Sequence, residues 1–156
     1  MAVIGGLGLL GHGVTRATVD LDLVTEAAAQ DDLVRFLESQ GYETLHRSAG
    51  YSNHLHGSAE LGRVDFVYVD GRTADKLFVG SVPRLDLAGR KALVPRAEHL
   101  VAMKVQALKN DPTRELQDLA DIQSLVRLPG VDLEEVRGYF ERAGLLDRYD
   151  VLRRSL

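Results

Sequence analysis

The sequence predicts an α+β protein: a mixed β-sheet flanked by helices, with a helical final third. Three observations point there. Short β-prone runs separated by Gly-containing turns fill the first part of the chain, and one of them alternates apolar and polar residues with a period of two. From Pro95 onward the apolar spacing becomes helical. The chain has 156 residues, 45% hydrophobic and 27% charged, which suits one globular domain. Residues 1–94 read as its core, and residues 95–156 as a helical part of the same compact domain.

Taken in order, Ala2–Ile4 is a short strand that stops at Gly5-Gly6, and residues 6–12 suit a short helix whose apolar side is Leu7, Leu9 and Leu10. Gly8 softens that helix by about 1 kcal/mol relative to Ala. Thr18–Thr25 alternates Val19, Leu21 and Leu23 with Thr18, Asp20 and Asp22, the period of a strand. Glu26–Gln40 is a helix with Leu33, Val34 and Leu37 at core spacing and Gly41 as its stop. Tyr42–Arg47 and Asn53–His56 are strands around a turn at Ser48-Ala49-Gly50. Val64–Val69 is the most β-prone run and ends at an Asp70-Gly71 turn. Thr73–Gly80 suits a short helix, and Arg84–Val94 a hairpin around Ala88-Gly89. Four helices follow: Pro95–Lys109, Pro112–Arg127 with Asp111 as N-cap and Pro112 at its first position, Asp132–Ala143, and a last one to about Arg153.

Composition removes several classes of function. With no Cys there is no disulfide, thiolate zinc site or cysteine nucleophile, so a bound metal must be held by oxygen and imidazole, which favours Mg²⁺. The net charge of −4 argues against bulk nucleic-acid binding by charge alone, and the absence of Trp against an aromatic platform for bases. The longest apolar run, Met1 to Gly11, is shorter than the roughly 20 residues of a membrane span and lacks a basic start and a cleavage site. The expected setting is cytoplasmic, away from membranes.

Asp20 and Asp22 stand out chemically. At i, i+2 on a strand they share a face, repel one another, and would be relieved by a divalent cation between them. A charged, exposed strand face is the plain alternative. Asp65, in Arg63-Val64-Asp65-Phe66-Val67, would add a third carboxylate if its strand pairs beside the first. Three such carboxylates can hold two Mg²⁺ ions against a triphosphate. Gly5-Gly6 ends a strand and opens a helix, an arrangement that bares backbone N–H groups to phosphate, but no Walker motif is present. Gly-Gly is also a common packing device.

Ile4-Gly5-Gly6, then Gly13, Arg16, Thr18, Asp20 and Asp22, resemble the signature of the DNA polymerase β-like nucleotidyltransferase superfamily. The branch they most resemble is the AbiEii/MenT-like toxin group. Lys104, Ala107, Arg114, Asp118 and Asp121 are similar to that branch's later motif. The resemblance implies the nucleotidyltransferase fold. It implies nucleotide phosphates at Gly5 and Gly6, metal at Asp20 and Asp22, and Asp65 as third ligand or as base. Lys104 would neutralise the triphosphate. Arg16 and Thr18 would touch the nucleotide, and Asp118 would join the catalytic set. For Arg16 an ion pair with Asp118 or Asp121 is an equally plain role, and for Thr18 simple strand propensity is the plainer one. Arg114, Asp118 and Asp121 also fit a surface ion-pair ladder, at about 0.3–0.5 kcal/mol per pair. His54 and His56 alternate on a strand, and two ligands without a third favour a solvated face over a metal site. Relatives carry a helix before the first strand, so a strand at residue 2 points to a longer natural N-terminus.

The expected function is Mg²⁺-dependent transfer of a nucleoside monophosphate from an NTP to a hydroxyl of an RNA such as tRNA, or of a protein, in a toxin–antitoxin pair with a cognate antitoxin as partner. The alternatives are an antibiotic-modifying nucleotidyltransferase and an inactive module that only binds nucleotide or a partner. At this length, acceptor recognition falls to the helical part, a homo-oligomer or a partner chain.

Overall fold

The computed structural model describes residues 1–156, the side chain of Pro112 excepted. The chain divides into two compact units, Met1–Pro95 and Arg96–Leu156.

The first unit is built on a five-stranded sheet. Its strands are β1 (Ala2–Val3), β2 (Leu21–Glu26), β3 (Tyr42–Arg47), β4 (Tyr51–His56) and β5 (Arg63–Val69), in the spatial order β1-β2-β5-β4-β3. Only β2 and β5 run parallel; the other neighbours are antiparallel. Helix α1 (Gly5–Gly11) follows β1, and α2 (Gln30–Ser39) follows β2 after a 3-10 turn at Ala27–Ala29. Glu26–Gln40 was expected as one helix; β2 instead runs on through Glu26 before that turn. Helix α3 (Gly71–Val79) starts at Asp70-Gly71, so this dipeptide opens a helix and is not a free-standing turn. β6 (Val82–Leu87) and β7 (Arg90–Val94) form the expected hairpin, with Ala88 and Gly89 both at positive φ as a tight two-residue turn requires.

The sheet's two faces have different jobs. Leu21, Leu23, Val64, Phe66 and Tyr68 alternate onto one face, where Leu33 and Leu37 of α2 cover them. The residues between them, Asp22, Arg63 and Asp65, therefore project from the other face. His54 lies on the covered face, fully buried. Its Nε2 is 2.8 Å from Ser52 Oγ and its Nδ1 3.2 Å from Thr44 Oγ1, and Ser52 Oγ is also 2.8 Å from Tyr68 Oη. The expected solvated histidine face is thus wrong for His54. The ring stands edge-on to Phe66, and burial, ahead of opposing nearby carboxylates, lowers its pKa. His56 is partly buried, edge-on to Tyr42, and accepts the Ser58 N–H on Nδ1.

The second unit holds α4 (Ala97–Asn110), α5 (Glu115–Val126), α6 (Leu133–Ala143) and α7 (Leu146–Arg154). A 3-10 turn at Pro112–Arg114 precedes α5, and Asp111 Oδ1 accepts the Thr113 N–H at its start. The side chain of Pro112, expected at the first helical position, lies outside the described residues. Asp132 caps α6 by accepting from the N–H groups of Glu134 and Glu135, and Gly144 ends it in the left-handed conformation. Leu100, Val101, Val105, Ile122, Leu125 and Phe140 are buried as the core of this unit. No helix among the described residues is long and apolar enough to cross a membrane.

Candidate active site

The site is assembled by the pairing of two strands. In the parallel β2–β5 ladder, Asp22 is the register partner of Asp65, so the two carboxylates leave the same face side by side. Asn53 on β4 is in turn the register partner of Asp65. Asp20 lies in a bend before β2, whose pairing with β5 starts at Leu21↔Val64. The expected strand over Thr18–Thr25 is therefore shorter at its start, and Asp20 stands just outside it, two residues before Asp22. Both Asp20 and Asp22 are partly exposed.

Gly5 and Gly6 are explained by what they touch. Gly5 has φ +58°, and a Cβ there would lie 1.9 Å from Asp22 Oδ2. A Cβ on Gly6 would lie 2.6 Å from Thr18 Cβ. The backbone at the start of α1 thus lies directly against the Asp22 carboxylate, an approach that any side chain would block. The Ile4 N–H, bonded to the Asp22 carbonyl at 2.9 Å, fixes this contact. Thr18, packed on Gly6, turns its hydroxyl to the Asp20 carbonyl at 3.4 Å. Arg16 is partly buried in the segment between α1 and β2.

Asp65 is heavily engaged. Arg63 Nε donates to Oδ1 at 2.9 Å and to Oδ2 at 3.1 Å, Asn53 Nδ2 to Oδ1 at 2.9 Å, and the Tyr51 hydroxyl to Oδ2 at 3.0 Å. Asn53 Nδ2 also bonds the Tyr51 hydroxyl. Burial first, and then the Asp65 charge, raise the Tyr51 pKa, so the phenol keeps its proton and donates. Sequence reading missed Arg63, Asn53 and Tyr51 as site residues. Arg63 sits two residues from Asp65, a same-face spacing that could have signalled it; Asn53 and Tyr51 come from a neighbouring strand whose register no local pattern encodes.

Among the described residues, no group of three or more His, Asp or Glu is gathered as a metal cage. The three carboxylates expected to converge, Asp20, Asp22 and Asp65, are thus not gathered as one. Mg²⁺ commonly takes only one or two protein carboxylates and completes its shell with water and substrate phosphates. Asp20 and Asp22 carry hard oxygen donors, Asp22 beside a glycine-bared backbone, and the Asp65 oxygens belong to three donors.

The second unit brings Lys104, Asp118 and Asp121 together. Lys104 Nζ lies 2.7 Å from Asp118 Oδ1 and 2.7 Å from Asp121 Oδ2. Asp118 is fully buried, which rules out the surface-ladder reading for it; Arg114 is exposed before α5 begins. One ammonium between two carboxylates leaves a formal charge of −1. As placed, Lys104 has no surplus charge to offer a triphosphate.

A shallow cleft of about 290 Å³ lies at the far end of β2 and β5, lined by Glu26, Val69, Asp70, Phe78 and Val79 among others. Glu26 is four residues along β2 from Asp22, some ~13 Å at the rise of a strand, so this cleft is separate from the carboxylates.

No family model matches the chain, and no curated sequence does. Solved structures do. The antibiotic-resistance factor ANT(2'')-Ia matches with a TM-score of 0.65 at 18% identity, over 99% of this chain and 85% of its own. The lincosamide antibiotic adenylyltransferase LnuA, in its lincomycin-bound form, matches with a TM-score of 0.54 at 16% identity, over 81% of this chain and 85% of its own. An antigenic nucleotidyltransferase-like protein from Paracoccidioides brasiliensis gives 0.53 at 18% identity, over 97% and 83%. The chain has the nucleotidyltransferase fold, as the Gly-Gly and Asp-x-Asp pattern implied.

Proposed function

We propose that this chain is a nucleotidyltransferase that moves the nucleoside monophosphate of an NTP onto a hydroxyl of an RNA, such as a tRNA end, or of a protein. The observation that supports this most is the pairing of Asp22 with Asp65 on parallel strands, with the bare Gly5 backbone against the Asp22 carboxylate. In this reading Gly5 and Gly6 face the nucleotide phosphates, with Arg16 and Thr18 nearby. Asp20 and Asp22 would hold Mg²⁺, two ions by resemblance. When bound, the metal supplies charge neutralisation to the triphosphate.

The acceptor oxygen forms a bond to the α-phosphorus, and the bond from that phosphorus to the bridging oxygen breaks. Pyrophosphate leaves with the electron pair, and the hydroxyl proton passes to the Asp65 carboxylate. Little covalent chemistry is asked of the protein; positioning and charge do most of the work. No step is assigned to Lys104 or Asp118, because each already holds the other inside the helical unit.

The setting we propose, by resemblance to the AbiEii/MenT-like branch, is the toxin of a toxin–antitoxin pair. A second reading, transfer to an antibiotic hydroxyl, is favoured by the match to ANT(2'')-Ia along nearly the whole chain. Incubation of the chain and Mg²⁺ with each α-labelled NTP and with total tRNA, protein extract or aminoglycosides tests both. Label on RNA or protein supports the first reading and label on the drug the second. Label on none of them, with nucleotide bound but unconsumed, contradicts catalysis and leaves a binding module.

A further inference from the structure

Arg63 and Asp65 stand two residues apart on β5 and project from the face that carries Asp22. An ionised carboxylate has about four lone-pair sites. The single Arg63 Nε–H is shared between both oxygens, Asn53 donates to Oδ1 and Tyr51 to Oδ2, so three donor groups hold the Asp65 carboxylate. With Arg63 lying across both oxygens, an acceptor hydroxyl or a further ligand must compete with the guanidinium for the carboxylate.

The three donors are not equally held. Asn53 is 6% exposed and locked in register beside Asp65, and Tyr51, two residues earlier at the start of the same strand, is half-buried and braced by Asn53. Arg63 is the first residue of its strand, after Gly62 at φ +55°, and its side chain is 40% exposed against 10% for Asp65. It grips Asp65 through Nε alone, and although the guanidinium also reaches the Tyr51 hydroxyl, its two-pronged end, the part that suits a phosphate, is not spent on that carboxylate. The Asp65 bond, against some opposing burial, raises the Arg63 pKa, so the group stays charged whichever partner it holds. A triphosphate carries several negative charges where Asp65 carries one.

We infer that Arg63 is a nucleotide-displaced latch on Asp65. It bridges both carboxylate oxygens while the site lacks nucleotide, moves onto the triphosphate when nucleotide arrives, and thereby opens Asp65 to the acceptor hydroxyl. The inference rests on the nucleotidyltransferase reading and names Arg63 as a positioning residue within it.

A double-mutant cycle read by calorimetry tests the latch. The full chain, with Mg²⁺, is titrated with an α,β-methylene NTP analogue as wild type, Asp65→Asn, Arg63→Gln and the double variant. Because Asp65 competes with the triphosphate for Arg63, Asp65→Asn tightens binding about fivefold or more, and Arg63→Gln weakens it. In the double variant the tightening disappears. A purely structural Arg63 would not produce this coupling. Should Arg63→Gln prevent folding, Arg63→Lys replaces it, with a reduced coupling expected because a lysine lacks the planar fork. Weaker binding in Asp65→Asn, or an equal shift with and without Arg63, overturns the latch while leaving nucleotide transfer standing. A wild-type chain that binds none of the four analogues overturns the nucleotidyltransferase reading, and the latch with it.

Discussion

At the scale of single residues, the site depends on a backbone that carries no side chain. Gly5 lies in the left-handed region and touches the Asp22 carboxylate. Gly5→Ala adds backbone strain of about 1–2 kcal/mol, and its methyl group must push Asp22 aside. The expected outcome is a small fall in the melting midpoint with a loss of transfer of about 100-fold, since misplacement of a reacting group by about 1 Å has that effect. Melting curves and transfer rates on the same preparation check it. The residue scale also shows what the sequence could carry. Gly5-Gly6 and Asp-x-Asp are contiguous motifs, so their chemistry was legible. The partners of Asp65 were not, because Asn53 and Tyr51 reach it only through the β4–β5 register.

At the scale of elements, two buried polar groups tie neighbours together. Lys104 on α4 bridges Asp118 and Asp121 on α5, with 10%, 0% and 9% of the side chains exposed. Lys104→Met leaves two carboxylates without their cation and is expected to cost about 3–5 kcal/mol. Denaturant unfolding measures this. A stability close to wild type with a raised KM for NTP would instead restore Lys104 to the triphosphate. This contact lay beyond sequence reading because the turn at Pro112–Arg114 separates the helices, and spacing alone cannot say that they pack.

His54 ties β3, β4 and β5 through Thr44, Ser52 and Tyr68. Burial lowers its pKa in the folded state; Glu38 and Asp65 oppose this, and Arg47 adds to it. The unfolded chain therefore binds the proton more tightly, and His54's contribution to stability is full above about pH 6.5. It is lost as the pH falls from there through the lower folded value. The melting midpoint should fall on acidification below about pH 6.5, and His54→Asn should flatten that part of the profile.

At the scale of the whole molecule, the alternation of helix and strand was largely legible. Tyr42–Arg47, the hairpin around Ala88-Gly89 and the four C-terminal helices all stand close to where their periodicity put them. The errors fell where tertiary pairing decides. β2 begins only at Leu21, where its pairing with β5 starts at Val64, and His54 is buried on the sheet face that α2 covers. The parallel pairing of β2 and β5, which sets Asp22 and Asp65 side by side, was a conditional in the sequence and is a fact of the fold.

The central claim is that this pair of strands carries phosphoryl transfer. The most direct measurement is pyrophosphate release from each NTP with Mg²⁺ and acceptor, compared among wild type, Asp22→Asn and Asp65→Asn with matched melting curves. The account predicts release by the wild type and a loss of about 100-fold or more in both folded variants. Unchanged release in either folded variant would contradict it.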